Sequence, residues 1–302
     1  MLFCDTINCQ RLFHERGVVM EPVKTGLVLE GGGMRGIYTA GVLDVMMSQK
    51  VKFDGVIGVS AGAIHGCSFV SEQQGRNIRY YKKYCNDKRF MSFKNFFQTG
   101  DMAGEQFCYH DLPEKLDPFD YVTFNKSDTE FYVGCSNVQT GQPEYIHLTD
   151  MKKEIDFLRA SASLPYVSRI VEAGGMKLLD GGCTDSIPVE AFRKMGFNKC
   201  VVVLTRHKGY VKRAEKSMLA DVFYRKYPKF AEAVKTRPEK YNQTIRYIEN
   251  LEEKGEIFVI RPSVKLNVGR TKSSPKQLQE AYDIGKYDAI MQMDKMIKWL
   301  NN

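Results

Sequence analysis

The stretch that most constrains this chain is Asp54-Gly55-Val56-Ile57-Gly58-Val59-Ser60-Ala61-Gly62-Ala63-Ile64-His65-Gly66. Val56 to Val59 is a short apolar run that suits a buried strand, and Ala61 to Val70 continues at once as a helix. Gly58 and Gly62 bracket Ser60 in a G-x-S-x-G pattern. A strand that turns directly into a helix crowds its own backbone, so residues without side chains are needed on either side of the turn. The serine is then lifted above the strand ends, at a helix N-terminus whose unpaired N–H groups favour negative charge near its oxygen. A glycine-rich βα turn with an incidental serine fits the same five residues, so the rest of the chain has to decide.

A similar unit precedes it. Thr25 to Glu30 has the continuous apolar centre of a strand buried on both faces. It runs into Gly31-Gly32-Gly33-Met34-Arg35-Gly36, and a helix follows with Ile37, Val42, Leu43, Val45 and Met46 at helical spacing. Strand, glycine loop, helix, strand, elbow, helix implies parallel strands joined by right-handed crossovers. The loop matches G-x-G-x-x-G in the setting of a dinucleotide site, with Asp54 about twenty residues on. Asp54 precedes the second strand, however, whereas a ribose-binding acid follows it, and Ser60 stands in that place. No Gly-Lys-Ser/Thr follows, which removes a Walker A loop. The loop reads better as a set of backbone donors: the N–H groups of Gly32 and Gly33 can point at a developing oxyanion, with the charge of Arg35 nearby.

Residues 71–128 change character, with Tyr80, Tyr81, Tyr84, Phe90, Phe93, Phe96, Phe97, Phe107 and Tyr109 among many charges. They read as helices and loops forming a cap over the sheet edge, the aromatic stripe being core or, less simply, a lipid contact. Glu130 to Ser136 and Glu144 to Leu148 read as a hairpin, and Lys153 to Ala162 as a helix. Met176 to Leu179 is a short strand ending at Asp180-Gly181-Gly182, Pro188 to Met195 a helix, and Lys199 to Thr205 a buried strand. Ala214 to Lys254 is mostly helical with breaks predicted near Pro228 and Pro238; Glu256 to Ile260 is a strand, and Pro275 to Leu300 one or two helices. The fold class is therefore α/β, with a helical cap and a C-terminal helical extension. Three segments are expected: an arm over residues 1–19, with Met20 as an alternative start; a catalytic domain over 20–207; and 208–302 packed on that domain.

Two groups compete as partner for Ser60. Asp180, followed by two glycines, can expose its carboxylate at a crowded strand end, although an Asx turn is the plain reading. The order Ser60, Asp180, His207 also fits a serine, acid, histidine triad. His65 on the elbow helix and His147 on a hairpin strand are less well placed. Asp185 is a second acid close to the site.

The net charge is +8, with part of the excess between Arg206 and Lys240. That region allows peripheral contact with an anionic membrane, a solvated helical face being the bland alternative; without a recognisable reading module, nucleic acid is not expected. The eight cysteines are scattered without a C-x-x-C pair, so a zinc cage is not expected; with the dinucleotide and Walker A readings set aside, no cofactor is expected either. Residues 1–19 lack the pattern of a signal peptide, and no apolar run approaches the ~20 residues that span a bilayer. Reduced thiols in a cytoplasm follow as the expectation.

Taken together, Gly31-Gly32-Gly33-Met34-Arg35-Gly36, Gly58-Val59-Ser60-Ala61-Gly62 and Asp180-Gly181-Gly182 resemble the three motifs of the patatin-like phospholipase family, in order, over about residues 25 to 206. Ser186-Ile187-Pro188 is also similar to bacterial members, while beyond about Lys208 the likeness is only general. The resemblance implies a three-layer α/β/α sandwich with a mostly parallel central sheet, hydrolysis of acyl esters of phospholipid or lysophospholipid, and no metal. It implies a dyad without histidine: Ser60 as nucleophile, Asp180 as base, and Gly31, Gly32, Gly33, Arg35 and Gly36 as the oxyanion loop. A small-substrate esterase or thioesterase using His207 is the alternative, and a catalytically weak membrane- or partner-binding protein the alternative of another kind.

Overall fold

The computed structural model describes residues 23–213 and 218–302. The arm expected over residues 1–19, the start at Met20 and the beginning of the helix expected from Ala214 lie outside the described residues.

Eight strands form one mixed sheet: β1 (Thr25–Leu29), β2 (Gly55–Val59), β3 (Glu130–Asn137), β4 (Pro143–Leu148), β5 (Val171–Ala173), β6 (Met176–Asp180), β7 (Lys199–Val203) and β8 (Ile257–Ile260). The path β3-β2-β1-β7-β8 is parallel throughout, and β4, β5 and β6 join it antiparallel. Leu27, Val28 and Leu29 are all fully buried, as a continuous apolar strand requires. Their alternation divides the core. Leu27, Leu29, Val56, Val201 and Val203 face one side, and Val28, Ile57, Cys200 and Val202 the other.

Helices cover both faces. The first face carries α1 (Ile37–Ser48), α2 (Ala61–Val70) and α3 (Arg76–Tyr84). The rest of the expected cap is α4 (Phe93–Thr99), a π-helical stretch over Phe107–Leu116 and α5 (Tyr121–Asn125). Then come α6 (Ile155–Ser161), α7 (Val189–Lys194), α8 (Met218–Phe223), α9 (Pro228–Glu253) and α10 (Pro275–Asn301). α10 lies along α1 on the first face, while α7 and α9 cover the second. The aromatic stripe is core: Tyr80, Tyr81, Tyr84, Phe90 and Phe107 are buried with α1 and the sheet, whereas Phe93 and Phe97 are exposed.

Two expectations are corrected. The break predicted near Pro228 is present, α8 ending at Phe223 and α9 beginning at Pro228, but the one predicted near Pro238 is absent, and α9 runs unbroken through that residue. Pro228 occupies the first turn, where its missing N–H has no partner to lose. Pro238 is internal, a position that costs about 3 kcal/mol. Buried residues on either side of it, Phe230 and Ala231 before and Tyr241, Ile248 and Leu251 after, hold the helix through that point. The second correction is β5, which the sequence reading omits. It pairs with β6 across Gly174-Gly175, both at positive φ, the signature of a two-residue hairpin. The final segment, expected as one or two helices, is the single helix α10, started by a capping box between Ser274 and Gln277.

Candidate active site

Sheet register brings the two halves of the site together. β2 runs parallel to β3 and ends with Val59 opposite Gly134. β6 runs antiparallel to β3 and ends with Asp180 opposite Cys135. β4 occupies the other edge of β3 over the same residues, so β2 and β6 approach each other end to end along one edge. Ser60 therefore emerges facing Asp180. Its Oγ donates to Asp180 Oδ2 at 2.7 Å, and the Gly182 N–H donates to the other oxygen, Oδ1, at 2.8 Å. Both residues are buried, Ser60 at 6% and Asp180 at 2% exposure.

The elbow is strained. Ser60 has φ 54° and ψ −123°, a backbone conformation that costs about 1–3 kcal/mol in a residue with a side chain. Ser161, at the end of α6, holds it. The Ser60 N–H donates to Ser161 Oγ at 2.8 Å, and that hydroxyl donates to Gly134 O at 2.6 Å. The backbone of Asp180 is pinned in the same manner: its N–H donates to Ser163 O, and its carbonyl accepts from Ser136 Oγ. Sequence reasoning missed Ser136, Ser161 and Ser163, which carry no spacing signal of their own. Gly58 and Gly62 lie where an added Cβ would strike backbone, of Ala63 and of Leu29 respectively, and Gly181 lies against Gly134 O.

The glycine loop faces Ser60. The Gly31 N–H is taken by Ser186 O, that of Met34 by Arg270 O and that of Arg35 by Gly32 O. Among the described residues the N–H groups of Gly32 and Gly33 have no backbone partner. The Gly31 N–H is thus engaged, and Gly36 is set against Ala61 and His65. Gly33 needs its lack of a side chain, with φ 57° and Arg270 O close by. The Arg35 guanidinium is pushed down to about 10 by burial and by Arg206, and stays cationic at neutral pH.

No histidine joins this group among the described residues. His207 Nδ1 pairs with Lys208 O, and the side chain lines a separate surface hollow with Glu252 and Arg261. His65 is fully buried, its ring tilted against Tyr81, and burial lowers it to about 4, so it is neutral. His147 stacks on Tyr132. Asp185 accepts from the Tyr145 hydroxyl at 2.7 Å, and burial raises its pKa; it does not reach Ser60. No cluster of His, Cys, Asp and Glu able to hold a metal occurs among the described residues.

Residues 27–193, which contain all three motifs, match the family model described as patatin-like phospholipase. The chain belongs to that family. Residues 227–301 match a domain model of unknown function, DUF6363. The uncharacterized protein YjjU of Escherichia coli K12 is 29% identical over 273 residues, 88% of this chain and 76% of that protein. Lysophospholipase NTE1 of Meyerozyma guilliermondii is 28% identical over 59% of this chain, and NTE1 of Saccharomyces cerevisiae 27% over 57%. The chain spans only 12% and 10% of those two lysophospholipases. Among solved structures, VipD from Legionella pneumophila is similar with a TM-score of 0.45 and 14% identity, over 91% of this chain and 67% of that one.

Two cavities of this patatin-like protein are lined by residues of the elbow and its helix. One, of about 400 Å³, holds Ser60, Asp180 and the glycine loop, and is polar. Arg35, Arg206, Arg237 and Arg270 line it, the last two from the DUF6363 region. The other, of about 110 Å³, is apolar, and Ile64, one turn along α2 from Ser60, opens its wall with Tyr80, Tyr81, Tyr109 and Leu158. Glu30, missed by sequence reasoning, ties the C-terminal region to the first cavity. Buried at the end of β1, it accepts from the Thr205 N–H and from the Tyr241 hydroxyl of α9.

Proposed function

We propose that this patatin-like protein is a serine lipid acyl hydrolase working through Ser60 and Asp180. The observation that carries the reading is the Ser60 Oγ–Asp180 Oδ2 hydrogen bond at 2.7 Å, on a strained elbow beside two N–H groups without a backbone partner. Ser60 adds to an ester carbonyl while Asp180 takes its proton. The tetrahedral oxyanion is held by the N–H groups of Gly32 and Gly33 at the end of a helical dipole. Asp180 returns the proton to the departing alcohol. Water then loses a proton to Asp180, attacks the acyl-serine, and the fatty acid leaves with Ser60 restored. Phospholipid or lysophospholipid is the substrate class that family membership favours, and the apolar cavity beside Ile64 suits the start of an acyl chain. The position of His207 gives no support to a triad.

Turnover of a medium-chain chromogenic ester and of vesicle phospholipid tests this in wild type, Ser60→Ala, Asp180→Asn and His207→Ala. The expected losses are about 10⁶-fold at Ser60 and about 10⁴-fold at Asp180, with His207→Ala near wild type. Indifference to Ser60→Ala would remove the hydrolase reading, and collapse at His207 would replace the dyad by a triad.

A further inference from the structure

The polar cavity carries an excess of positive charge. Six cationic side chains line it, Arg35, Arg206, Lys212, Arg213, Arg237 and Arg270, against two carboxylates. Both carboxylates are engaged: Asp180 by Ser60 and Gly182, Glu30 by Thr205 and Tyr241. Arg206 stacks on Tyr210, its guanidinium 4.1 Å from the ring centre, a geometry that leaves the edge of the plane for in-plane acceptors. The buried Nε of Arg237 has no hydrogen-bond partner among the described residues, nor does that of Arg35. Among the described residues no carboxylate forms an ion pair with Arg35, Arg206, Arg237 or Arg270. Half-buried guanidinium groups gathered beside one another repel, and a pocket that keeps them so is arranged for an anion brought from outside.

Position narrows the anion. The cluster shares its cavity with Ser60, while Ile64, one turn along α2 from Ser60, lines the apolar cavity. A glycerolipid whose ester carbonyl sits at Ser60 places its acyl chain on one side and its phosphate, a few bonds away, on the other. Planar guanidinium forks match phosphate oxygens bidentately. A choline or ethanolamine ammonium would find no free carboxylate among the lining residues and a majority of like charge.

We propose that Arg206, Arg237 and Arg270 form a phosphate-binding subsite that selects phospholipids whose headgroup is net anionic, with no ammonium to balance the phosphate. This rests on the reading that Ser60 attacks the ester, and it gives the DUF6363 region a role: supplying Arg237 and Arg270 to the headgroup side of the patatin site.

Binding separates the subsite from the chemistry. Full-length Ser60→Ala protein is titrated with lysophosphatidic acid, with lysophosphatidylcholine of the same acyl chain, and with inorganic phosphate alone. Wild-type kcat/KM is measured on phosphatidic acid and phosphatidylcholine in mixed micelles. The expected result is a preference for the acidic lipid of about tenfold or more in both assays, the scale of one charge-assisted hydrogen bond. Arg237→Gln and Arg270→Gln, on separate segments, each lower that ratio about tenfold, and Arg237→Lys restores part of it. Thermal melts confirm that each variant is folded. Equal binding of the two lysolipids, or ratios unmoved by both glutamine variants, would overturn the subsite while leaving the hydrolase reading intact. Inorganic phosphate binding as tightly as the acidic lysolipid would overturn the lipid assignment. Selective binding of the acidic lysolipid without any turnover by wild type would support the subsite and overturn the hydrolase reading.

Discussion

Replacing Ser161 by alanine tests whether the elbow is held from outside. The Ser161 hydroxyl bridges the Ser60 N–H and Gly134 O, and all three groups are buried. Removing it strands one donor and one acceptor, at about 1–3 kcal/mol each. Some of this is returned, because the Ser60 peptide is then free to leave φ 54° and release about 1–3 kcal/mol of strain. The net destabilisation is about 1–3 kcal/mol. Unfolding entropy of about 2.1 cal/mol/K per residue amounts to about 0.6 kcal/mol/K for this chain, so Tm falls by about 2–5 °C. The relaxed elbow no longer aims Oγ at Asp180 and the loop donors, and turnover drops about 10²-fold, as for a misplacement of about 1 Å. Differential scanning calorimetry and ester hydrolysis read the two effects. Ser163→Ala is the control: its hydroxyl donates only to Arg159 O, and the Ser163 carbonyl that receives the Asp180 N–H stays. It costs about 1 kcal/mol or less. A Ser161→Ala protein with the melting point and turnover of Ser163→Ala would refute the reasoning.

Other consequences follow from the same geometry. Gly33→Ala forces a side chain to φ 57° against Arg270 O, so stability falls by about 1–3 kcal/mol and turnover by about 10²-fold; unaltered hydrolysis would remove Gly33 from the oxyanion site. His65 titrates near 6.5 when unfolded and is lowered to about 4 when folded, so the folded chain binds fewer protons between these values. Its effect on stability is therefore absent above pH ~6.5 and grows as the pH falls toward 4, at up to about 1.4 kcal/mol per pH unit. His65→Gln flattens that acid limb in urea melts, and an unchanged slope would show that the ring is not buried neutral.

What was legible in the sequence was local. β1, the glycine loop, α1, β2 and the elbow lie within one stretch, 25–70, where each strand ends in the turn that its own glycines permit. Continuous apolar runs announced strands buried on both faces, and the burial of Leu27, Val28 and Leu29 is the outcome. Pro228 does mark the start of α9, but the break expected at Pro238 failed because propensity is a local cost, and packing along 26 residues of α9 outweighs it there. β5 was missed because three residues carry too little pattern, although Gly174-Gly175 signalled the turn.

The sequence by itself determined a parallel α/β frame and offered three weak motifs in order, with two candidate partners for Ser60. Which of them lies against Ser60 is visible only in the tertiary structure. Ser60 and Asp180 are 120 residues apart, and they meet because β2 and β6 approach along one edge of β3. The same holds for Ser161 under the elbow and for Arg237 and Arg270 beside it, which arrive from segments with no sequence relation to the motifs. Short-range spacing fixes which residues share a turn or a face. Which distant side chains converge is set by sheet register and by helices packing across the sheet, and neither is encoded in any one stretch of the chain.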